Sequence, residues 1–272
     1  DDISFSRRTN VNNGKGTFPA SNVSTTFEHH ALSLLSPILP IYIFQPNPHL
    51  EIAFDVRTKN PLYVLEKIQR DSSTKPPMHQ RPQFWEEKRL PPEYRSRLTH
   101  YARSGYDRGH LAPAADFTDE KEILDTFNLC NVSPQDHFMN ISIWAKLERW
   151  CRRIAAQALT EKWGDTYLMT GPLWVAEENL QKEKKVYHYK YPAIKGTSNT
   201  LVQVPTHFFK ILVVLREKVI KKFECFMVPN SKQKAESTLL ETYVTSWDEL
   251  QSLSGLQFFP SCIHVGENTK IL

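Results

Sequence analysis

The sequence predicts a mixed α+β chain, most simply one domain. Three observations carry this. LEIAFDV (50–56) and PLYVLEKI (61–68) are β-rich runs flanking the polar RTKN, a hairpin signal. Residues 141–162 put Trp144, Leu147, Cys151, Ile154 and Ala158 on one apolar stripe at helical spacing. Beyond that helix, DTYLMTG (165–171), VYHYKYP (186–192), HFFKILVVL (207–215) and FECFMVP (223–229) read as strands. The third is almost continuously apolar and is expected at the centre of the sheet.

The remaining segments fit around this frame. Residues 1 to about 28 are rich in Ser, Thr, Asn and Gly and lack apolar periodicity. A flexible arm is expected over 1–40, followed by one domain over 41–272, with regular structure starting near Ile41. The Pro- and Arg-rich stretch 71–100 is a long connection, of a kind that often carries function. EKEILDTF (120–127) predicts a short helix, and WDELQSLSG (247–255) another, ended by its glycine. Neither an internal repeat nor a Rossmann-type glycine fingerprint is present.

With 272 residues the chain can bury a substantial core without disulfides or a structural metal. Its four cysteines form no CxxC pair, and Cys130, Cys151 and Cys225 sit in apolar surroundings, so buried free thiols are expected. No apolar run reaches the ~18 residues of a membrane span. The net charge of +4 is compatible with a polyanionic partner without demonstrating one. Lys182, Lys184 and Lys185, like Lys218, Lys221 and Lys222, are interleaved with other charges and read as solvated surface. The chain begins at Asp rather than Met, which predicts a processed or truncated form that has lost any targeting signal.

Chemistry concentrates in YDRGHLAPAADF (106–117) and in the segment that follows it. A histidine in such a stretch is most often structural, and a Glu–Arg pair on a helix is most often surface. Together they offer more. Asn131 precedes a Ser-Pro-Gln turn, Asn140 stands just before the long helix, and Glu148 and Arg152 share one helix shoulder at i,i+4, where their charges can brace each other. Phosphodiester hydrolysis needs a base for water, a cation near the non-bridging oxygens and help for the leaving oxygen. Neutral histidine has a suitable pKa, arginine grips phosphate in bidentate fashion, and a hydrated Mg²⁺ is satisfied by one or two protein oxygens.

DRGH, the TFxLxNxSPQ-like segment, an Asn before a helix, and WxxLE together resemble the DNA/RNA non-specific endonucleases of the ββα-metal class, the endonuclease G type above all. The resemblance covers most of the chain, including EIAFDVRTKNPLYVLEKI, DTYLMTGPLW, VPTHFFKILVVL and SGLQFFP. It implies a ββα-metal nuclease fold, with a largely antiparallel central sheet flanked by helices, and a sugar-non-specific endonuclease acting on single- and double-stranded DNA and on RNA. It further implies His110 as general base and Asn140 as direct ligand of Mg²⁺, with Mn²⁺ a possible substitute. Glu148 would hold metal-bound waters and position Arg152, and Asn131 would orient groups around the site. Arg108 and Arg152 would contact phosphate, with Arg81 the candidate for an assisting upstream arginine. Asp107 either orients the histidine or fixes the turn, Gly109 permits a tight backbone course, and His207 is structural. His137, between the two asparagines, could lie near the site. A homodimer and a mitochondrial location are implied as well. Asn22, Asn131 and Asn140 stand in N-x-S sequons, and a glycan on either of the last two would ruin the site, which disfavours secretory passage. Two rivals are a catalytically inactive nucleic-acid-binding member of the fold and a thiol hydrolase pairing Cys130 with His110.

Overall fold

The computed structural model describes residues 39–68, 81–176, 188–196, 200–232 and 239–264, together with the backbone of Gly16–Thr17. The hairpin forms where the polar tetrapeptide predicts it. Strands β1 (Gly16–Thr17), β2 (Ile41–Asn47), β3 (Leu50–Asp55) and β4 (Asn60–Lys67) pair in sequence order, with Asp55 opposite Asn60 across the turn. β1 lies within the span of the expected arm, with Gly16 paired to Phe44 and Thr17 to Ile43 on the edge of β2. The rest of that expectation, up to residue 38, lies outside the described residues.

The chain then leaves the sheet. β5 (Asp107–His110) pairs only with β6 (Val132–Gln135), and between them lies α1 (Glu120–Thr126), capped by Asp119, whose carboxylate accepts from the Lys121 and Glu122 amides. A helical turn at His137–Met139 runs through a π-turn at Asn140–Trp144 into α2 (Ala145–Thr160). β7 (Asp165–Leu173) re-enters the sheet beside β4. A small ribbon of β8 (Ala193–Lys195) and β9 (Leu201–Gln203) precedes β10 (His207–Arg216), which lies between β7 and β11 (Val219–Pro229). α3 (Trp247–Ser254) is capped by Ser246 and ends at Gly255, whose φ of 69° suits a residue without a Cβ. β12 (Ile263–His264) then adds a parallel edge to β11.

Helices cover both faces of the sheet, which is why β10 reads as almost continuously apolar. Phe208, Leu212 and Val214 pack in the cluster that holds Trp144, Leu147, Cys151 and Ile154 of the α2 layer. Phe209, Ile211 and Val213 face the opposite cluster with Leu250 and Phe258. Each such side chain contributes about 1.5–3 kcal/mol by leaving water. By the two-residue period of a strand, Lys210 falls on the α2 side, and it is fully buried there.

One predicted strand is absent. Among its described residues, 188–192 of VYHYKYP hold a single bridge position rather than a strand, and Val186 and Tyr187 lie outside the described residues. Its alternating aromatics have no core to enter: Tyr189 is 66% and Tyr191 37% exposed. The four cysteines are free thiols, with Cys130, Cys151 and Cys225 buried. No described helix is long and apolar enough to cross a membrane.

Candidate active site

DRGH, read from sequence as a loop, is a strand. In the β5–β6 ribbon Gly109 stands opposite Ser133 and His110 opposite Val132. The strand needs its glycine: a Cβ at Gly109 would lie 2.1 Å from the Gln135 side chain. Asn131 locks the residues just past His110. Its backbone oxygen accepts from Leu111 N–H at 3.0 Å, its Oδ1 from Ala112 N–H at 3.0 Å, and its Nδ2 donates to the carbonyls of Ala112 and Thr126, each at 2.8 Å. Fully buried and with its amide committed to backbone, Asn131 acts on the site by fixing the loop rather than by touching a reactant.

His110 emerges at the end of this ribbon between two aromatic rings, Phe84 at 4.9 Å and Phe127 edge-on at 4.8 Å between centroids. Its Nε2 is buried and has no hydrogen-bond partner. Burial, with the charges of Arg81 and then Arg108, drives its pKa down to about 3, so the imidazole is neutral. Arg108 is exposed, with its guanidinium 4.8 Å from the Phe84 ring centre. The upstream strap reaches the site because its backbone docks on the turn after α1: Trp85 N–H donates to Phe127, and Leu129 N–H to Trp85, at 3.0 and 2.9 Å. That docking carries Phe84 and the exposed Arg81 towards His110.

Asp107 makes a contact beyond the two roles expected of it. Its Oδ2 accepts from Asn140 Nδ2 and lies against His137 Nδ1, both at 2.9 Å, so it joins the ribbon to the turn before α2. The contact fixes the amide of Asn140 with the nitrogen spent on Asp107, while no hydrogen bond among the described residues engages Oδ1. His137 was singled out only for its position between the asparagines; its link to Asp107 needed the fold.

Along α2, Glu148 and Arg152 favour each other's charge, but Arg152 takes its hydrogen bond elsewhere. Arg152 Nη1 donates instead to Asp116 Oδ1 at 2.6 Å, and Asp116 is fully buried. Burial pulls the Arg152 pKa down, but the Asp116 carboxylate outweighs it and the net shift is upward. Glu148 is left with its neighbours' fields: burial raises its pKa to about 7 against the opposing charge of Lys210, with Asp116 adding to the rise. Behind them lies Glu66 of β4, buried with neither carboxylate oxygen hydrogen-bonded. Its pKa is held well above the ordinary range by burial and then by Asp116, against the opposing charge of Lys210. Asp116, Lys210 and Glu66 were not singled out from sequence. For Lys210 a signal existed, a lone cation inside HFFKILVVL.

His207 is structural: it lies 3.0 Å from Thr206 Oγ1, and burial lowers its pKa. The thiol reading fails at Cys130, where burial pushes the thiol well above its ordinary range and away from the reactive thiolate. Among the described residues, no group of three His, Cys, Asp or Glu side chains is placed to hold a metal. What the site offers is one oriented amide oxygen with a carboxylate on the following helix, a hard-oxygen donor set that fits an ion keeping most of its own water.

The profile of the DNA/RNA non-specific endonuclease family matches residues 39–263. The chain is 35% identical over 211 residues to "Nuclease 1, mitochondrial" of Schizosaccharomyces pombe, covering 75% of this chain and 62% of that protein. It is 30% identical over 213 residues to human "Endonuclease G, mitochondrial", covering 78% of this chain and 68% of the relative. A chain in the crystal structure of the EndoG/EndoGI complex superposes with a TM-score of 0.70 at 27% identity, covering 84% of this chain and 88% of that one. With the match running through both walls of the site, the chain belongs to the DNA/RNA non-specific endonuclease family.

Proposed function

We propose that this chain is a Mg²⁺-dependent, sugar-non-specific endonuclease that hydrolyses DNA and RNA to 5′-phosphate and 3′-hydroxyl ends. One observation carries the reading: a neutral histidine with a buried, unpartnered Nε2 stands three residues from the carboxylate that orients the Asn140 amide. His110 Nε2 takes a proton from water as the water oxygen attacks phosphorus in line, and the bond to the 3′-oxygen breaks. A pKa near 3 makes a weak base in the free protein. Burial is the main cause of that depression; a phosphate anion beside Arg81 and Arg108 offsets the part their charges add, and to that extent substrate binding strengthens the base. Arg152 spends one donor on Asp116 and keeps others for phosphate.

Asn140 Oδ1 would hold the metal directly and Glu148 through water; when bound, the ion stabilises charge on the phosphate and the leaving oxygen. Contacts made to phosphate rather than to base edges give weak sequence preference. The inactive-member alternative finds no support in a site with His110, Asn140, Glu148 and Arg152 all present. The relatives' mitochondrial names favour the same compartment here, and the family resemblance favours a homodimer, testable by light scattering. The test of function is a supercoiled plasmid and a structured RNA incubated with Mg²⁺, Mn²⁺ or EDTA. Nicking with either metal and none in EDTA is expected, with a 3′-hydroxyl that a polymerase extends. Cleavage that persists in EDTA would defeat the reading.

A further inference from the structure

Lys210 interrupts the most apolar strand of the chain, and the chemistry above makes no use of it. Burying an ammonium is unfavourable unless its surroundings repay the lost hydration. Here they do so with parts of the site. Nζ donates to Thr170 Oγ1 at 2.6 Å and to the Leu111 carbonyl at 3.2 Å, and it lies 5.1 Å from the centre of the Trp144 ring. Leu111 follows His110 directly, and Trp144 lies midway between Asn140 and Glu148. The Leu111–Ala112 peptide is thus held at both ends, its N–H donating to Asn131 Oδ1 and its carbonyl accepting from Lys210, while the Leu111 N–H donates to the Asn131 carbonyl.

We propose that Lys210 is a positioning residue of the nuclease site: a buried cation that ties the His110 loop to the Asn140–Glu148 segment and sets the spacing between base and metal side. This rests on the nuclease reading above, since spacing matters only if the two walls act together. An aliphatic residue would fill the same volume and pack with Phe208 and Leu212, yet it could bind neither the carbonyl nor the indole face. A misplacement of this kind reduces turnover more than substrate binding.

The test compares Lys210→Met, which keeps length and loses charge, with Lys210→Arg, which keeps charge, in the full chain. Leu212→Ala, on the same face of β10, is a control that loosens the same core cluster while leaving the Lys210 contacts to Leu111, Thr170 and Trp144 available. For Lys210→Met, kcat on plasmid DNA is expected to fall about 10- to 100-fold with KM within about threefold, at temperatures where circular dichroism reports a folded protein. Lys210→Arg should recover part of the loss, and Leu212→Ala should keep kcat at a matched melting temperature. The Ala112 amide resonance, which reports the Leu111–Ala112 peptide, should move in Lys210→Met without metal or DNA. A Lys210→Met kcat within about twofold of wild type, or a loss equalled by Leu212→Ala, overturns the proposal. Should wild type itself fail to cut, the nuclease reading falls, and the Ala112 resonance alone decides the tether: unmoved, there is none.

Discussion

The two walls of the site handle buried polar groups in opposite ways. On the ribbon wall, His110 lies against Phe84 and Phe127 with a nitrogen that no hydrogen bond among the described residues satisfies, and burial, helped by nearby arginines, keeps it unprotonated. On the helix wall, Arg152 has its partner in Asp116, and Lys210 sits among carboxylates that its charge moderates. An unsatisfied buried nitrogen is held at a cost in stability, whereas a paired guanidinium is held in place. The difference separates the group proposed to react from the groups proposed to hold the site in place.

Breaking the ribbon wall should have the largest effect. His110→Ala is expected to lower kcat by about 10²- to 10⁴-fold while DNA binding by gel shift is retained; full activity in that variant would remove His110 from the chemistry. Breaking the helix wall should show first as lost stability. Asp116→Ala strands the Arg152 charge, which is only 16% exposed, and a loss of about 3–5 kcal/mol in denaturant unfolding is expected. The link between the walls is tested by Asp107→Ala. With the Asn140 amide freed, Mg²⁺ affinity by calorimetry should weaken about 10- to 100-fold, with the melting temperature changed little. Gly109→Ala, which forces the Gln135 side chain aside, should cost about 1–3 kcal/mol in the same unfolding assay.

Acid sharpens the contrast without a large effect at any one pH. His110 titrates near 3 in the fold against an ordinary 6.5, so the unfolded chain binds more protons between those values. Its contribution is complete above about 6.5 and is lost as pH falls toward 3. Glu148 works the other way: raised from 4.5 to about 7, it favours the fold at low pH and loses that advantage as pH rises between those values. In EDTA, His110→Phe should make stability rise less steeply from pH 4.5 to 6.5, and Glu148→Gln should make it rise more steeply. Parallel slopes in the two variants would show that the walls are not distinct.

What the sequence discloses follows from how local each signal is. DRGH, Asn140, Glu148 and Arg152 occupy 46 consecutive positions, 107–152, and read as a set of residue types suited to phosphate chemistry. The hairpin and β10 are legible because alternation and apolar runs are local properties. Asp116, within AADF, carries no local signal, because its meaning lies in a partner 36 residues away. The i,i+4 rule made Glu148 the natural partner of Arg152, and tertiary packing supplied a better one. Asp107 also misled: its sequence neighbour His110 drew attention from Asn140, 33 residues on. VYHYKYP has a strand's alternation without a core for either face.

Asn131 also bears on how this protein can be made. Its amide is a glycosylation acceptor by sequence and a fully buried clamp by structure. Oligosaccharide transfer acts on chains that have not yet folded, so in a glycosylating secretion host the sugar would arrive before the clamp closes. A glycan there cannot be accommodated between Ala112 and Thr126, and the product would be misfolded however well it was expressed. Bacterial cytosol avoids the problem, and an Asn131 variant made to rescue secretion would remove the clamp it was meant to save.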